Sequence, residues 1–307
     1  MEKKKIGIIG LGLMGYGIAL NLIKNGFHVV GADINEQACE SARELGAEIA
    51  QNAAQVGNKC RYILVSMSSE KAYYSVIEDL RESCVMGSIV IETSTLSLGD
   101  KEEGRSILAG SGIVMIDAPI SGNSKNVISG GAVAMASGED AAVNEIGHIL
   151  DGFCKKWYNV GKFGNGSKMK FVANHQTAVH SAGVAEALYF AHKLGLDLND
   201  TVDIIGQGGG ACAALNIHGP LIAKRAWNET TNRVMKNFKD QRITCELIGE
   251  LNCPAPMYKA AVVLTKRTAE LGHEDHDRAA IYDALEKMDL EGLKLTGVDS
   301  SVDRDTI

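Results

Sequence analysis

Short apolar runs recur along roughly the first 160 residues, and segments with helical periodicity separate the early ones. Each run has the length of a strand and is apolar enough to be buried on both faces. This alternation is typical of βαβ units that build a parallel, doubly wound sheet. The predicted strands are Ile6–Ile9, His28–Ala32, Tyr62–Ser66, Ile89–Glu92 and Val114–Asp117.

The pattern changes near residue 130. Ala132–Ala136 predicts a further strand, residues 138–150 predict a helix, and Trp157–Val160 predicts a last strand ahead of a glycine cluster. Beyond that cluster, residues 165–193 predict one long helix. The remaining sequence predicts shorter helices and contains no convincing strand pattern.

These elements predict the fold class α/β with two domains. An N-terminal doubly wound Rossmann domain would span residues 1–163, and an all-helical C-terminal domain would span residues 164–307. The long helix would join them. A chain of 307 residues leaves room for both cores.

A glycine-rich segment directly follows the first predicted strand and opens the first helix. In a Gly-x-Gly-x-x-Gly pattern, the first glycine makes a tight turn and the second lets the backbone approach a pyrophosphate. The third lets helix and strand pack, and the helix N-terminus offers free N–H groups to phosphate. The predicted cofactor-binding residues here are Gly10, Gly12, Leu13, Met14 and Gly15.

Asp33 closes the second predicted strand, where dinucleotide-binding folds carry a carboxylate. A carboxylate there accepts hydrogen bonds from the ribose hydroxyls of NAD and repels the 2′-phosphate of NADP. No arginine follows in Ile34–Glu36 to bind that phosphate, so we expect NAD as the cofactor. In the alternative interpretation, Asp33 is the N-cap of the next helix, a role that Asn35 could equally fill.

A polar stripe runs along the predicted long helix, among small and apolar residues. It consists of Lys170, Asn174, Thr177 and Ser181, which recur at helical spacing and share one face. Such a face could line a cleft, where a partly desolvated lysine has a lowered pKa and can act as a base. Lys170 is therefore the candidate catalytic residue. The alternative is a solvated surface lysine, for which Lys168 on another face is a natural control.

Four signatures occur in the order and spacing of one enzyme family. They are the glycine segment continuing into Ala19-x-Asn21-Leu22, then Asp117–Gly122, Gly164-x-Gly166-x-x-x-Lys170-x-x-x-Asn174 and Phe238-Lys239-Asp240. With them the chain resembles the β-hydroxyacid dehydrogenases: 3-hydroxyisobutyrate, tartronate semialdehyde and threonate dehydrogenases, and more distantly 6-phosphogluconate dehydrogenase. The resemblance runs over almost the whole chain and implies a 6-phosphogluconate dehydrogenase-like fold.

The resemblance also implies roles for single residues. Lys170 would take the proton from the substrate hydroxyl while hydride leaves the same carbon for nicotinamide, and no metal is needed. The substrate carboxylate would be held by a hydroxyl and backbone N–H groups, and Asn174 would help to orient the substrate. The implied substrate-binding residues are Ser121, Gly122, Asn123 and Asn174, and the further implied cofactor-binding residues are Met67, Thr95 and Lys239.

Several positions depart from the family pattern or allow a second interpretation. Asn123 stands where a third glycine-like residue is usual, and Ala173 precedes Asn174 where an Asn-Asn pair is common. The loop at Met67 lacks the usual Leu-Pro, which bears on cofactor contacts. A helix cap is the alternative role for Thr95. A surface ion pair is the alternative for Lys239 with its acidic neighbour.

Composition limits the possible partners. A net charge of −7 gives no reason to expect nucleic acid, and no apolar run is long enough to predict a membrane span. The seven cysteines are odd in number and scattered, which favours reduced thiols and a cytoplasmic protein. His273–Asp277 could suggest a metal loop, but we interpret it as a polar turn and helix cap.

The resulting hypothesis is an NAD-dependent oxidoreductase acting on a small 3-hydroxy acid, with threonate-like and 3-hydroxyisobutyrate-like substrates as leading candidates. The alternatives are an NADH-dependent semialdehyde reductase, which runs the same chemistry in reverse, and a non-catalytic NAD-binding module. The long helix carries more apolar and small residues than one domain could bury. We therefore expect a homo-oligomer, a dimer or tetramer, by analogy with the family.

Overall fold

A computed structural model describes residues 4–228 and 233–292 of the chain. The chain forms two compact units, Met1–Asn174 and His175–Ile307, called here the N-terminal and C-terminal units. The extreme ends of both predicted domains, residues 1–3 and 293–307, lie outside the described residues. The division of the chain into domains after residue 163 stays a prediction.

The N-terminal unit contains a six-stranded parallel sheet with the strand order β3-β2-β1-β4-β5-β6. This order is that of a dinucleotide-binding Rossmann sheet, so the predicted fold class is confirmed. Strand β3 was not predicted, since two residues are too short to show a period. The strands are β1 Lys5–Ile9, β2 His28–Ala32, β3 Glu48–Ile49, β4 Tyr62–Val65, β5 Ile89–Glu92 and β6 Val114–Asp117.

Helices connect these strands, and two apolar clusters within the unit explain the apolar runs. Ile63 and Val65 pack into one cluster and Leu64 into the other, so β4 is buried on both faces. Side-chain oxygen atoms of Asn35, Asn52, Ser69 and Ser97 begin the second to fifth helices by accepting backbone N–H groups. The helices are α1 Leu13–Lys24, α2 Glu36–Glu44, α3 Ala53–Lys59, α4 Glu70–Ser83 and α5 Leu98–Ala109.

A second, three-stranded sheet follows in the same unit, with the order β7-β8-β9. Its middle strand agrees with the prediction. The last strand was predicted as Trp157–Val160, but in the structure it begins three residues earlier and ends one residue earlier. The first strand and the short helix after it were not predicted. The elements are β7 Ile120–Ser121, α6 Ser124–Ile128, β8 Ala132–Ala136, α7 Asp140–Leu150 and β9 Cys154–Asn159.

The rest of the described chain is helical, with no strand beyond β9 in residues 160–228 and 233–292. Helix α8, Asn165–Lys193, has the predicted bounds and runs from the N-terminal into the C-terminal unit. No described helix is long and apolar enough to cross a membrane. The remaining helices are α9 Leu198–Gly206, α10 Ala213–Ala223, α11 Val234–Glu250, α12 Pro256–Glu270, a 3₁₀ helix Arg278–Ala280 and α13 Ile281–Leu290.

Candidate active site

The glycine segment lies at the carboxyl end of β1, where α1 begins. Gly10 has a φ of +92°, in the left-handed region that favours glycine. A Cβ on Gly15 would lie 1.8 Å from the Gly10 carbonyl oxygen, so only glycine lets the helix pack this close to the strand. A Cβ on Gly12 would meet no atom within 4 Å. The open side of the turn therefore leaves its backbone accessible to a phosphate group.

Asp33 directly follows β2 and holds this segment. Its Oδ2 accepts the backbone N–H of Leu11 at 2.7 Å, and its Oδ1 accepts that of Asn35 at 2.8 Å. The N-cap of α2 is Asn35, whose side chain accepts the N–H of Gln37. The interpretation of Asp33 as the helix cap is therefore wrong. Its carboxylate instead lies beside the glycine segment, with lone pairs left for further donors.

The loops after β4 and β5 are joined to each other at the same edge of the sheet. The backbone N–H of Met67 donates to Ser94 Oγ at 2.7 Å. Thr95, next in the chain, is partly buried, and the cap of α5 is Ser97, which accepts the N–H of Asp100. Thr95 is thus not a helix cap. Sequence reasoning missed Ser94, which no motif marks.

Asn21, part of the extended glycine signature, has a structural role in the unit. Its amide donates to the carbonyl of Val127 at 2.7 Å and to that of Gly17 at 2.8 Å. Val127 belongs to α6, so Asn21 ties the first helix to the segment that follows the substrate-binding motif. The bond to Val127 therefore connects the helix that follows the predicted cofactor-binding segment to the helix that follows the predicted substrate-binding motif.

Lys170 lies directly beside the predicted substrate-binding motif. Its Nζ donates to the carbonyl oxygen of Ile120 at 2.9 Å, and the ammonium-bearing side chain is partly buried. Ser121 follows in β7, and Gly122 has a φ of +126°, a conformation that a residue with a side chain rarely adopts. Lys168 is exposed, as expected for the surface control.

The two asparagines of the predicted site lie in different helical surroundings. Asn123 caps α6 in a reciprocal capping box with Asn126: its Oδ1 accepts the Asn126 N–H at 2.9 Å, and Asn126 Oδ1 accepts its N–H at 3.1 Å. Asn123 thus has a structural role that sequence reasoning missed. Asn174 is partly buried one turn after Lys170 on α8.

The far end of the predicted polar stripe does not belong to the same surface. Thr177 is exposed, whereas Ser181 is 2% exposed and lies in the C-terminal unit. Ser181 Oγ donates to the Thr177 carbonyl at 2.8 Å and lies 3.3 Å from Nε2 of His218. The expectation that Ser181 lines a cleft is wrong, because its hydroxyl is used inside the helical core.

The fourth signature lies in α11 of the C-terminal unit, where Lys239 and Asp240 are partly buried. Nearby, burial lowers the pKa of the Arg278 guanidinium to about 10, although the negative charge of Asp240 opposes that shift. The Asp240 carboxylate therefore stabilises the charged form of a buried guanidinium group in its own unit. The role of Lys239 near nicotinamide stays a prediction.

The polar segment His273–Asp277 forms a turn and a cap. Asp277 accepts the N–H of Ala279 at 3.0 Å at the start of the 3₁₀ helix and lies 2.8 Å from His218 Nδ1. His273 Nε2 lies 2.9 Å from Asp283 Oδ2. Among the described residues, no group of three or more His, Cys, Asp or Glu side chains could hold a metal ion.

Sequence reasoning also missed a buried ionic cluster at the carboxyl ends of β5 and β6. Lys101, on α5, is buried between Glu92 and Asp117. In the sequence it stands among Asp100, Glu102 and Glu103 and looks like part of a solvated face. One feature of the sequence could have revealed it: two predicted strands both end in a carboxylate. Buried carboxylates need a partner of opposite charge, so a buried cation was to be expected nearby.

Taken together, the residues of the N-terminal unit fit a dinucleotide. The glycine segment, Asp33, Met67 and Thr95 all follow the carboxyl ends of parallel strands, at the edge where such sheets bind cofactors. The open turn at Gly12 leaves room for a pyrophosphate, and the carboxylate at Asp33 suits a ribose diol. Lys170 adds an amine at the neighbouring motif, where it donates to the carbonyl of Ile120, and Ser121, the next residue in the chain, adds a hydroxyl.

Comparison with known proteins agrees with this geometry. The model of the NAD binding domain of 6-phosphogluconate dehydrogenase matches residues 5–161. The model described as NAD-binding of NADP-dependent 3-hydroxyisobutyrate dehydrogenase matches residues 164–285. The two matches together account for nearly the whole described chain.

Relatives of known activity extend over the same length. The chain is 28% identical over 295 residues to L-threonate dehydrogenase of Escherichia coli O6:H1, covering 94% of this chain and 97% of that protein. It is 28% identical over 284 residues to glyoxylate/succinic semialdehyde reductase 1 of Arabidopsis thaliana, covering 92% and 98%. Mycobacterium tuberculosis 3-hydroxyisobutyrate dehydrogenase, solved with L-serine, has the same fold with a TM-score of 0.85, 23% identity and coverage of 92% and 99%.

The two domain models, the strand order and the four signatures agree with one another. The two curated relatives described above are named as a dehydrogenase and a reductase, and the second domain model is that of a dehydrogenase, so the enzyme class follows from the family. The chain belongs to the β-hydroxyacid dehydrogenase family, as an NAD(P)-dependent oxidoreductase that acts on CH–OH donors.

Proposed function

We propose that this protein is an NAD-dependent dehydrogenase of a small 3-hydroxy acid, with Lys170 as the general acid and base. The observation that carries the proposal is the 2.9 Å contact of Lys170 Nζ with the Ile120 carbonyl, directly beside Ser121. An amine there is within reach of a hydroxyl bound at the same motif. The nicotinamide, when bound, supplies the hydride acceptor.

In this proposal the substrate carboxylate binds at the start of α6. Gly122 has a backbone conformation that turns the chain there, and Ser121 offers a hydroxyl. The Oδ1 atom of Asn123 accepts a backbone N–H at the start of the helix, and its amide nitrogen is proposed to donate to the substrate. Asn174, one helical turn beyond Lys170, orients the substrate hydroxyl on the same face of α8.

The cofactor is proposed to be NAD rather than NADP. Asp33 accepts two backbone N–H groups and retains lone pairs for a ribose diol, while its negative charge repels a 2′-phosphate. The other proposed cofactor contacts are Gly10, Gly12, Leu13, Met14, Gly15, Met67, Thr95 and Lys239.

The proposed substrates are threonate-like or 3-hydroxyisobutyrate-like acids, because similar proteins are named as dehydrogenases of L-threonate and of 3-hydroxyisobutyrate. Reduction of a semialdehyde is the second candidate, because a relative of equal identity is a glyoxylate/succinic semialdehyde reductase. The same lysine serves both directions: it accepts the hydroxyl proton in oxidation and donates it to the carbonyl oxygen in reduction.

The first test is NADH formation over a panel of short hydroxy acids, with Lys170→Ala beside the wild-type enzyme. We expect turnover on one or two acids, and a loss of about 10²- to 10⁴-fold in kcat for the variant with cofactor binding intact. Lys168→Ala is the matched control, since Lys168 is exposed on the same helix. Full activity of Lys170→Ala would refute the assignment.

The cofactor choice has its own test. Asp33→Ala removes the charge beside the ribose, so the ratio of kcat/KM with NAD to kcat/KM with NADP should fall by a factor of about 10 or more. An unchanged ratio would show that another residue selects the cofactor. Initial rates with both cofactors at several concentrations decide between these outcomes.

We also propose that the protein is a cytoplasmic homodimer or homotetramer. All seven cysteines are free, as suits a reducing compartment. In the C-terminal unit, Ile204 and Met257 are 70% and 67% exposed, beside a largely apolar groove of about 770 Å³ along α8. Sedimentation should give a multiple of 32.7 kDa, and Met257→Asp should lower it. A wild-type monomer would contradict the oligomer.

A further inference from the structure

The buried cluster at the carboxyl end of the main sheet is completely removed from solvent. Lys101 Nζ lies 2.6 Å from Glu92 Oε2 and 2.8 Å from Asp117 Oδ1, and all three side chains are 0% exposed. Glu92 and Asp117 end their strands as register partners. Burial alone would lower the pKa of Lys101, but the two carboxylates oppose it and raise the pKa above its usual value. The lysine is therefore charged and holds two strands together.

The first turn of α8 completes this cluster. The backbone N–H of Ser167 donates to Asp117 Oδ2 at 2.8 Å, and its hydroxyl donates to Asp117 Oδ1 at 2.8 Å. The Gly166 N–H donates to Ser137 Oγ at 3.0 Å, and that hydroxyl lies 3.2 Å from the same carboxylate. A helix start leaves such N–H groups unpaired and partly positive. Asp117 caps α8 from a strand that is distant in sequence.

The Asp117 carboxylate fixes the positions of both groups in the hydrogen bond between Lys170 and the Ile120 carbonyl. Lys170 follows Ser167 within one helical turn, so a shift of the first turn moves its side chain. The acceptor of its ammonium group, the Ile120 carbonyl, comes shortly after Asp117 in the chain. One buried anion thus holds the helix that carries the amine and the segment that carries its acceptor and Ser121.

We propose that Lys101 and Asp117 are positioning residues for Lys170. Lys101 neutralises Asp117 and fixes its orientation, and Asp117 in turn fixes the start of α8 through Ser167. The inference rests on the proposed role of Lys170 but concerns residues that touch neither substrate nor cofactor. A small displacement of a catalytic group is costly in rate, because the reacting atoms must meet at short distance and fixed angle.

A purely structural role predicts different behaviour. Loss of a structural bond lowers the free energy of unfolding, while each folded molecule still turns over at the normal rate. Loss of a positioning bond lowers kcat of the folded enzyme at temperatures far below the unfolding midpoint. Ser167 bonds to Asp117 and not to the proposed cofactor-binding residues, so the KM for NAD should stay unchanged when Ser167 is changed. Glu92 differs, because its carboxylate also accepts the N–H of Ser94 beside Thr95.

The decisive variant is Ser167→Ala, which removes one hydroxyl and no charge from a residue that is 2% exposed. We expect kcat to fall by about tenfold with an unchanged KM for NAD, and Ser167→Thr, which keeps the hydroxyl, to restore most of it. Ser106→Ala is the control for loss of a hydroxyl outside the cluster, because the exposed Ser106 donates to the Glu102 carbonyl within α5. Wild-type kcat in Ser167→Ala would overturn the inference.

A larger change tests the ion pair itself. Lys101→Met combined with Glu92→Gln removes one charge of each sign and leaves Asp117 with its α8 partners. We expect kcat to fall by about a hundredfold in the folded fraction, since Asp117 loses its cation. If this double variant does not fold, Ser167→Ala alone decides the question.

A measurement without turnover separates this inference from the proposed function. Brief treatment with an amine-reactive reagent, followed by mass spectrometry, compares the labelling rate of Lys170 with that of exposed Lys168. We expect Ser167→Ala to change the rate at Lys170 only. If Lys170→Ala is inactive but Ser167→Ala changes neither kcat nor labelling, the positioning role fails and the catalytic role stands. If Lys170→Ala is fully active, the proposed function fails, while the labelling still decides whether Asp117 holds Lys170.

Discussion

Helix α8 begins in one kind of surrounding and ends in another. In the N-terminal unit, its first turn is bonded to a buried carboxylate, and a Cβ on Gly166 would lie 2.3 Å from the Met135 carbonyl oxygen. In the C-terminal unit, a Cβ on Gly183 would meet no atom within 4 Å. Backbone geometry and hydrogen bonds fix the first region, whereas apolar side-chain packing dominates the second. The two regions should therefore tolerate substitution very differently.

The largest effect is expected for a matched pair of glycines on this helix. Gly166→Ala forces a methyl group against backbone, so it should lower the free energy of unfolding by about 3 kcal/mol. Gly183→Ala adds a methyl group that meets no atom of its own chain, so in the monomer it should raise that free energy by about 1 kcal/mol. Thermal denaturation followed by circular dichroism measures both. Equal effects of the two substitutions would remove the contrast between the regions.

The second prediction concerns the polar network of the C-terminal unit. His218 is 3% exposed, with Ser181 on one side and Asp277 on the other. His218→Leu leaves two buried polar groups short of a partner and should cost about 2 kcal/mol of unfolding free energy. Urea denaturation measures this cost, and His192→Ala, at an exposed position of α8, should change little. A neutral His218→Leu would mean that packing alone holds this unit.

The smallest effect is expected at the surface of the main sheet. The pKa of Glu48 is lowered from 4.5 to about 2, first by its hydrogen bond from Lys59 and then by His28. A lowered carboxyl pKa stabilises the fold above the unfolded value of 4.5 and loses that contribution as the pH falls toward 2. Since solvent screens this exposed pair, Glu48→Gln should cost less than about 1 kcal/mol at neutral pH.

A pH series of denaturation curves checks this last prediction. The difference between Glu48→Gln and wild type should be constant at neutral pH and shrink through the acid range. His28→Gln tests the smaller of the two contributions at Glu48. A difference that persisted unchanged in acid would show that the carboxylate acts through packing rather than charge.

The contrast also explains which parts of the fold the sequence could predict. Apolar strands buried on both faces, such as Ile89–Glu92 and Val114–Asp117, and the long helix 165–193 carry strong periodic signals. Strand Glu48–Ile49 and helix Ser124–Ile128 are too short for a period. The second is specified by a capping box of two asparagines, which spans too few residues to stand out.

The site was predictable to the extent that motifs mark it. The glycine segment and the helix that carries Lys170 follow from local patterns, since the segment connects a predicted strand to a predicted helix and the long helix has a clear period. Lys101 did not, because its acidic neighbours on α5 made it look solvated, and only the pairing of two strands reveals its buried partners. Ser181 was misassigned because spacing on a helix does not tell which neighbour each turn meets.

Asp33 has a consequence for engineering. Its carboxylate serves the cofactor preference proposed above and also accepts the N–H of Leu11, inside the glycine turn between β1 and α1. A designer who replaces Asp33 to obtain an NADP-using catalyst therefore also releases a tether of that turn. A change of coenzyme that keeps kcat thus requires two substitutions. One must make room for the extra phosphate, and the other must supply a new acceptor for the Leu11 N–H.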